Sequence, residues 1–231
     1  MSDRLLVGIP TRSNVDGLAD LLAFMSREGL SSSTVVFDHG HDSEQGREVL
    51  AKAEADGVRV VKAATWAFYE MWNEARSMAY HGGCEAVALL NDDIRLPEGG
   101  LMAVCEQLAQ HPEVGLLGFD YSRRAAEGID PDAGLRVVSG TPRRGGVGGW
   151  AFMLRADLWP TIGPISEEYH IWYGDDELFC MVEDAGLSLA ICEGVGVDHD
   201  TSVTLQAFPE LLSKREQDLR LFIERWGSHR L

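Results

Sequence analysis

Three groups of acidic or polar residues stand where short apolar runs end, and their types suit the capture of a hard cation. Asp38 follows residues 34–37, Asn91, Asp92 and Asp93 follow the run AVALL at 86–90, and His199 and Asp200 follow the last apolar run. Neighbouring carboxylates repel each other, and a divalent ion with oxygen ligands relieves that repulsion. A cation bridging a diphosphate is the simplest such arrangement. A solvated Asp-Asp pair can equally well make a turn and cap the helix that follows, and on spacing alone both readings stand.

The elements around these groups set the geometry. Apolar runs rich in β-branched residues at 5–9, 34–37, 58–62, 86–90 and 114–119 alternate with helical patterns through about 28, at 43–55, 66–80 and 100–110, the signature of parallel strands joined by crossover helices. In such open sheets ligands gather beyond the carboxyl ends of the strands, where all three groups lie. After residue 120 the pattern loosens. Residues 120–149 read as loops around a short strand at 135–138, followed by a strand at 150–154 and a short helix at 156–161. An aromatic loop at 165–174, a helix at 176–185, strands at 187–192 and 194–197, and a closing helix at 209–226 complete the chain. No linker or repeat divides it, so one domain over 1–231 is expected.

With 231 residues, 45% of them hydrophobic, the chain can bury a substantial core. A net charge of −17 makes nonspecific binding to nucleic acid or an anionic membrane unfavourable, so a phosphate ligand needs local help from a cation, helix amides or placed basic side chains. No apolar run is long enough to span a membrane and no leader pattern opens the chain, so a soluble, cytoplasmic protein is expected. The four scattered cysteines read as buried thiols rather than a disulfide or zinc framework.

The stretch LLNDDIRLP after its apolar strand resembles the DxD motif of GT-A fold glycosyltransferases, especially those of family 2, with Asn91 where the motif usually has its first Asp. The likeness extends over nearly the whole chain. VGIPTRSN resembles the family's opening strand and loop, VVFDHGHDSEQG its second-strand motif, GGVGGWAFMLRADLWPTIGPISEEY its glycine-rich acceptor-side strand, and FIERWG its closing helix. The resemblance implies a Rossmann-like α/β domain with a mostly parallel central sheet flanked by helices and a smaller acceptor-side sheet. Residues 1–119 would bind the nucleotide-sugar and 120–231 would form the acceptor-side and catalytic half. Pro10, Thr11, Asp38, Asn73, Asn91 and Asp92 would line the donor, a UDP-sugar as the commonest case. Asp93 would bind the metal.

WYGDDELF is similar to the family's ED motif at the start of a helix, which implies a general base for an inverting transfer at Asp176, with Asp175 as the alternative. Simple helix capping is the other use of two such residues. The family often carries a late histidine that completes the metal shell, which points to His199, with Asp198 and Asp200 orienting its ring. An imidazole ligand suits Mn2+ better than Mg2+. Trp150, Trp172 and Tyr173, together with Tyr169, are candidates to stack on sugar or acceptor rings.

A nucleotidyltransferase is a rival of related architecture, but PTRSN lacks the glycines of its phosphate loop. A noncatalytic nucleotide-sugar-binding module is a second rival, supported only by Asn91. The acceptor is a hydroxyl compound of open class: a glycan, a lipid-linked sugar, a small metabolite, a protein, or a modified base in DNA engaged through Arg123, Arg124, Arg143 and Arg144.

Overall fold

The computed structural model describes residues 4–140, 146–199 and 209–230. Strand residues of alternate parity face opposite sides of the central sheet, as a two-residue period requires. In β1 (Leu5–Thr11), Leu5, Val7 and Ile9 enter one core; in β4 (Ala86–Leu90), Ala86, Ala88 and Leu90 enter the same core while Val87 and Leu89 enter a second. Helices α1 (Val15–Arg27), α2 (Glu44–Ala55) and α4 (Gly100–Gln110) cover the first face through Leu18, Leu50 and Leu101. Helices α3 (Phe68–His81), α6 (Gly174–Asp184) and α7 (Arg215–Trp226) cover the second through Ala75, Phe179 and Phe222, and the short α5 (Trp159–Ile162) lies beside α3.

One eight-stranded sheet runs through both halves of the chain, in the order β3-β2-β1-β4-β8-β6-β9-β7. Strands β2 (Thr34–Asp38), β3 (Arg59–Lys62), β1 and β4 are parallel; β6 (Val114–Asp120) and β9 (Ser188–Gly196) form a second parallel pair; β8 (Ala151–Arg155) and β7 (Leu135–Val138) run against their neighbours. The chain winds outward from β1 to β2 and β3, then returns to β4 on the other side of β1. That reversal opens a crevice beyond the ends of β1 and β4, the position where open sheets of this kind bind ligands.

The expected α/β architecture is present, with local differences. The two late strands are one, β9, whose pairing with β6 shifts between Phe119–Cys192 and Asp120–Gly196, so an irregularity rather than a loop separates the two apolar runs. The turn expected after Asp93 contains a short strand, β5 (Ile94–Arg95), which pairs antiparallel with β10 (Asp198–His199). This two-stranded sheet lies at the acidic end of β4 and is the smaller sheet beside the main one. Helix α6 begins at Gly174, two residues earlier than its periodicity suggests, which places Asp175 and Asp176 within its first turn. Arg143, Arg144 and Asp200 lie outside the described residues. No helix among the described residues is long and apolar enough to cross a membrane.

Candidate donor and metal site

The crevice is closed at its base by a buried hydrogen-bond network. Thr11, the last residue of β1, donates its hydroxyl to Asp92 Oδ2 at 2.6 Å, and His41 Nε2 lies 2.8 Å from the Thr11 hydroxyl oxygen. Because the hydroxyl proton goes to the carboxylate, the imidazole must supply the other proton, which assigns the Nε2–H form to His41. Asn14 caps α1 by accepting the Gly17 N–H and turns its amide nitrogen to the Asp92 carbonyl at 3.1 Å. Burial pushes the Asp92 carboxyl up to about 6; the Thr11 and Asn14 hydrogen bonds counter this, and the charge of Asp93 adds to it. Pro10 is buried in β1 opposite Phe37, beyond the last β1–β4 pair at Gly8–Leu89, where its missing N–H costs that ladder nothing.

Asp38 ends β2 with both carboxylate oxygens engaged. Oδ1 accepts the N–H groups of Gly40 at 3.0 Å and His41 at 2.8 Å, and Oδ2 takes the Lys62 ammonium at 2.8 Å. Burial favours the neutral acid, but these donors outweigh it and hold the carboxyl below its usual range. Asn73 is not brought to this network: its amide pairs with both backbone groups of Ile165 at 2.8 Å, and Arg76 donates to the same amide oxygen. It joins α3 to the 165 loop and has its polar atoms occupied there.

Asp93 and His199 meet. Pairing of β5 with β10 sets His199 opposite Ile94, and His199 Nε2 lies 3.2 Å from Asp93 Oδ1. The two are close enough for an ion pair, yet Asp93 Oδ1 is buried without an aligned hydrogen-bond donor. A buried carboxylate oxygen left in this state loses its hydration without replacement, a cost of about 1–3 kcal/mol that a bound cation would remove. Among the described residues no group of three His, Cys, Asp or Glu side chains converges to hold an ion, and the described donor atoms here are the Asp93 carboxylate and His199 Nε2. Asp198 Oδ1 lies 3.0 Å from Arg124 Nε, so one oxygen of the expected ring-orienting carboxylate faces a guanidinium. Arg123 likewise pairs with Asp130 at 3.3 Å, so the described part of the basic patch is matched by acidic partners.

The second half of the chain reaches the crevice through Gly148, Gly149 and Trp150. The Trp150 carbonyl accepts the Asn91 N–H at 2.8 Å, extending the β4–β8 ladder by one step. Its indole ring stacks on the His199 imidazole at 4.8 Å and 22°. A Cβ on Gly149 would fall 1.9 Å from Asp175 Oδ2 and under 3 Å from the Asp175 Cγ and Cβ, so the absence of a side chain there lets the start of α6 close onto the strand end.

Three residues absent from the sequence expectations hold the loop at 165–174. Asp218 of α7 is fully buried and accepts the N–H groups of His170, Ile171 and Trp172 at 3.1, 3.1 and 3.0 Å, together with His170 Nδ1 at 2.7 Å. Glu177 of α6 is buried and accepts the Ser166 N–H, the Arg225 guanidinium and the Trp226 indole N–H. Tyr69 donates its hydroxyl to the Ile171 carbonyl and accepts the Gly174 N–H. A sequence signal existed for Asp218, which shares the helical stripe of Leu221, Phe222 and Arg225 at spacings of three, four and seven. A charge in such a stripe marks a buried partner. Trp172 gives its indole N–H to the Leu211 carbonyl at 3.3 Å and takes Arg215 over its ring, and Tyr173 stands in left-handed backbone, φ 66°, at the cap of α6. Tyr169 is buried in the second core.

No family model and no curated protein matches the sequence, whereas several solved structures match its fold. The chain is similar to GalNAc-T7, crystallised with UDP, GalNAc and Mn2+, with a TM-score of 0.64 and 13% identity over 85% of this chain and 43% of that one. It is also similar to residues 1–349 of S. aureus TarS, with a TM-score of 0.60 and 14% identity over 90% of this chain and 63% of that one. A third match is the glucosyl-3-phosphoglycerate synthase of Mycobacterium tuberculosis in complex with Mn2+, UDP and glucosyl-3-phosphoglycerate, with a TM-score of 0.64 and 14% identity over 97% of this chain and 80% of that one. The chain thus spans less than two thirds of the first two proteins. These likenesses establish the GT-A fold, the α/β fold of nucleotide-sugar transferases.

Proposed function

We propose that the chain is a metal-dependent glycosyltransferase that moves a sugar from a nucleotide diphosphate donor, a UDP-sugar in the first instance, onto a hydroxyl acceptor with inversion at the anomeric carbon. The observation that carries this reading is the approach of Asp93 Oδ1 to His199 Nε2, at 3.2 Å, beside the crevice of the parallel sheet. Two ligand atoms bound to one ion at about 2.1 Å each lie about 3 Å apart when adjacent, so the pair fits a divalent cation. Its mixed oxygen and nitrogen character favours Mn2+ over Mg2+. Bound there, the cation would offset the charge that develops on the departing nucleotide diphosphate.

The remaining roles belong to the chain itself. Asp92, held by Thr11 and Asn14, and its neighbour Asn91, tied by its N–H to Trp150, present the donor side of the crevice. Pro10, Thr11 and Asp38 shape the nucleotide wall and the turn beside it. On the acceptor side, Asp175 packs against Gly149, and Asp176 lies about 100° further round α6. Asp176 is the carboxylate proposed to take the acceptor hydroxyl proton as that oxygen attacks, with Asp175 orienting the acceptor. Trp172 and Tyr173, anchored through the Asp218 cluster, form the acceptor wall.

Calorimetry with UDP-, GDP- and dTDP-sugars in the presence of Mn2+ tests this reading. One donor should bind only with the metal, and Asp93→Asn should abolish that binding. Asp176→Asn should preserve binding and lower donor turnover by roughly 10²–10⁴-fold. Failure of every nucleotide-sugar to bind would overturn the assignment.

A further inference from the structure

We infer that Trp150 is a positioning residue for the cation ligands, its ring fixing His199 and its backbone fixing the loop that carries Asp93; this rests on the reading of Asp93 and His199 as a metal pair. A histidine on a two-residue strand has two side-chain torsions to settle, and a metal-binding imidazole normally settles them by giving its second nitrogen to a carboxylate or carbonyl. Here the neighbouring carboxylate, Asp198, is drawn to Arg124, and the flat contact on the ring comes from the Trp150 indole at 4.8 Å and 22°. The stack leaves the imidazole edge directed at Asp93 Oδ1.

The same residue fixes the other ligand arm. The Trp150 carbonyl bonds the Asn91 N–H one step beyond the Leu90–Ala151 pair, so the chain leaves β4 along a set path two residues before Asp93. Gly148 makes the ring position possible: a Cβ there would sit 2.5–2.9 Å from three indole atoms. Tyr121 meets the indole at 6.2 Å, edge to face at 84°, and restricts its rotation. Trp150 therefore joins two segments far apart in the chain at the place where their side chains converge. An imidazole that shares the charge of a divalent ion also gains from lying on the electron-rich face of an indole. A flat aromatic surface, rather than apolar bulk, is what the position requires. In this role the indole serves the metal ligands instead of acting as the acceptor platform suggested by the sequence.

Mn2+ titration followed by the electron paramagnetic resonance of the free ion, with and without UDP, tests this directly and needs no acceptor. The unmodified protein should bind Mn2+, and Asp93→Asn and His199→Ala should each abolish binding. Trp150→Leu should weaken binding by about tenfold or more, the range found when partners of metal ligands are removed, while Trp150→Phe should stay within about threefold. Paramagnetic Mn2+ should also quench tryptophan fluorescence in the unmodified protein, and Trp150→Phe should remove most of that quenching while still binding the ion. If Trp150→Leu fails to fold, Gly148→Ala, whose methyl would push the indole from its place, should weaken Mn2+ binding in the same way. Equal affinity in Trp150→Leu and the unmodified protein would overturn the role of Trp150 and leave the metal pair standing. Equal weakening in the Leu and Phe variants would also overturn it. Absence of Mn2+ binding in the unmodified protein would remove both readings.

Discussion

Asp218 Oδ1 lies 2.7 Å from His170 Nδ1, so the closing helix and the loop that leads into α6 are joined through a carboxylate with no exposure to solvent. The other oxygen takes three successive backbone N–H groups, and Asp218→Ala would leave all of these partly buried donors without their partner. Each orphaned donor costs about 1–3 kcal/mol, so a total loss of roughly 3–5 kcal/mol is expected after relaxation. Urea denaturation should show a lower midpoint with a similar slope. Hydrogen exchange should accelerate at residues 170–172 more than in β1 or β4; a variant as stable as the parent would show that the loop holds itself.

Thr11 joins the His41 ring to the Asp92 carboxylate, and Thr11→Val removes the hydroxyl while keeping the shape. A buried carboxylate then loses its 2.6 Å donor and a buried imidazole loses its acceptor. Two such losses should destabilise the fold by about 2–4 kcal/mol. With Asp92 less firmly held, donor affinity in the presence of Mn2+ should fall by about tenfold. Thermal denaturation and calorimetry read the two effects separately, and unchanged donor binding would confine Thr11 to a structural role.

The parallel half of the fold was legible because its strands are short β-branched runs buried on both faces and its helices carry apolar stripes, both of which are local patterns. Asp92 and Asp93 were legible as a pair because they directly follow such a run. The partner of each was not. That Thr11 holds Asp92, that Asp218 holds residues 170–172, and that Asn73 bonds Ile165 all depend on contacts across 81, 46–48 and 92 positions, which no local period encodes. The β5–β10 pair escaped notice for a related reason: two-residue strands are too short to show alternation, and this one forms because the partner segment is delivered by β9.

Asp38 predicts a pH dependence whose sign follows from its surroundings. Its folded carboxyl lies below the ordinary value, held there against burial by Lys62 and the amides of His41 and Gly40. A depressed folded value means that the group adds stability above the unfolded pKa of about 3.9, and that this contribution is lost as pH falls through the folded value. Asp38→Asn should therefore be less stable than the parent near pH 7, with the difference shrinking below about pH 4. Urea midpoints for both proteins at pH 7 and pH 3 give the test. A difference that stayed constant with pH would assign the loss to packing alone.

Gly149→Ala probes the closure of the two halves over the crevice. A methyl group at this position meets the Asp175 Oδ2, Cγ and Cβ at 1.9, 2.7 and 2.8 Å, and rotation of the carboxylate relieves only the first two contacts. The Cβ contact requires the first turn of α6 to withdraw, carrying Asp176 with it. Displacement of a reacting group by about 1 Å can cost about 10²-fold in rate, so with Asp176 in its proposed role donor turnover should fall by one to two orders of magnitude. The three contacts are all to Asp175, and Mn2+ affinity should change by less than about threefold, well short of the 10–100-fold cost of losing a partner of a metal ligand. Turnover measured beside Mn2+ binding separates these effects. Loss of metal affinity equal to the loss of turnover would show that α6 and the cation ligands move together, and that Asp176 is not positioned independently of them.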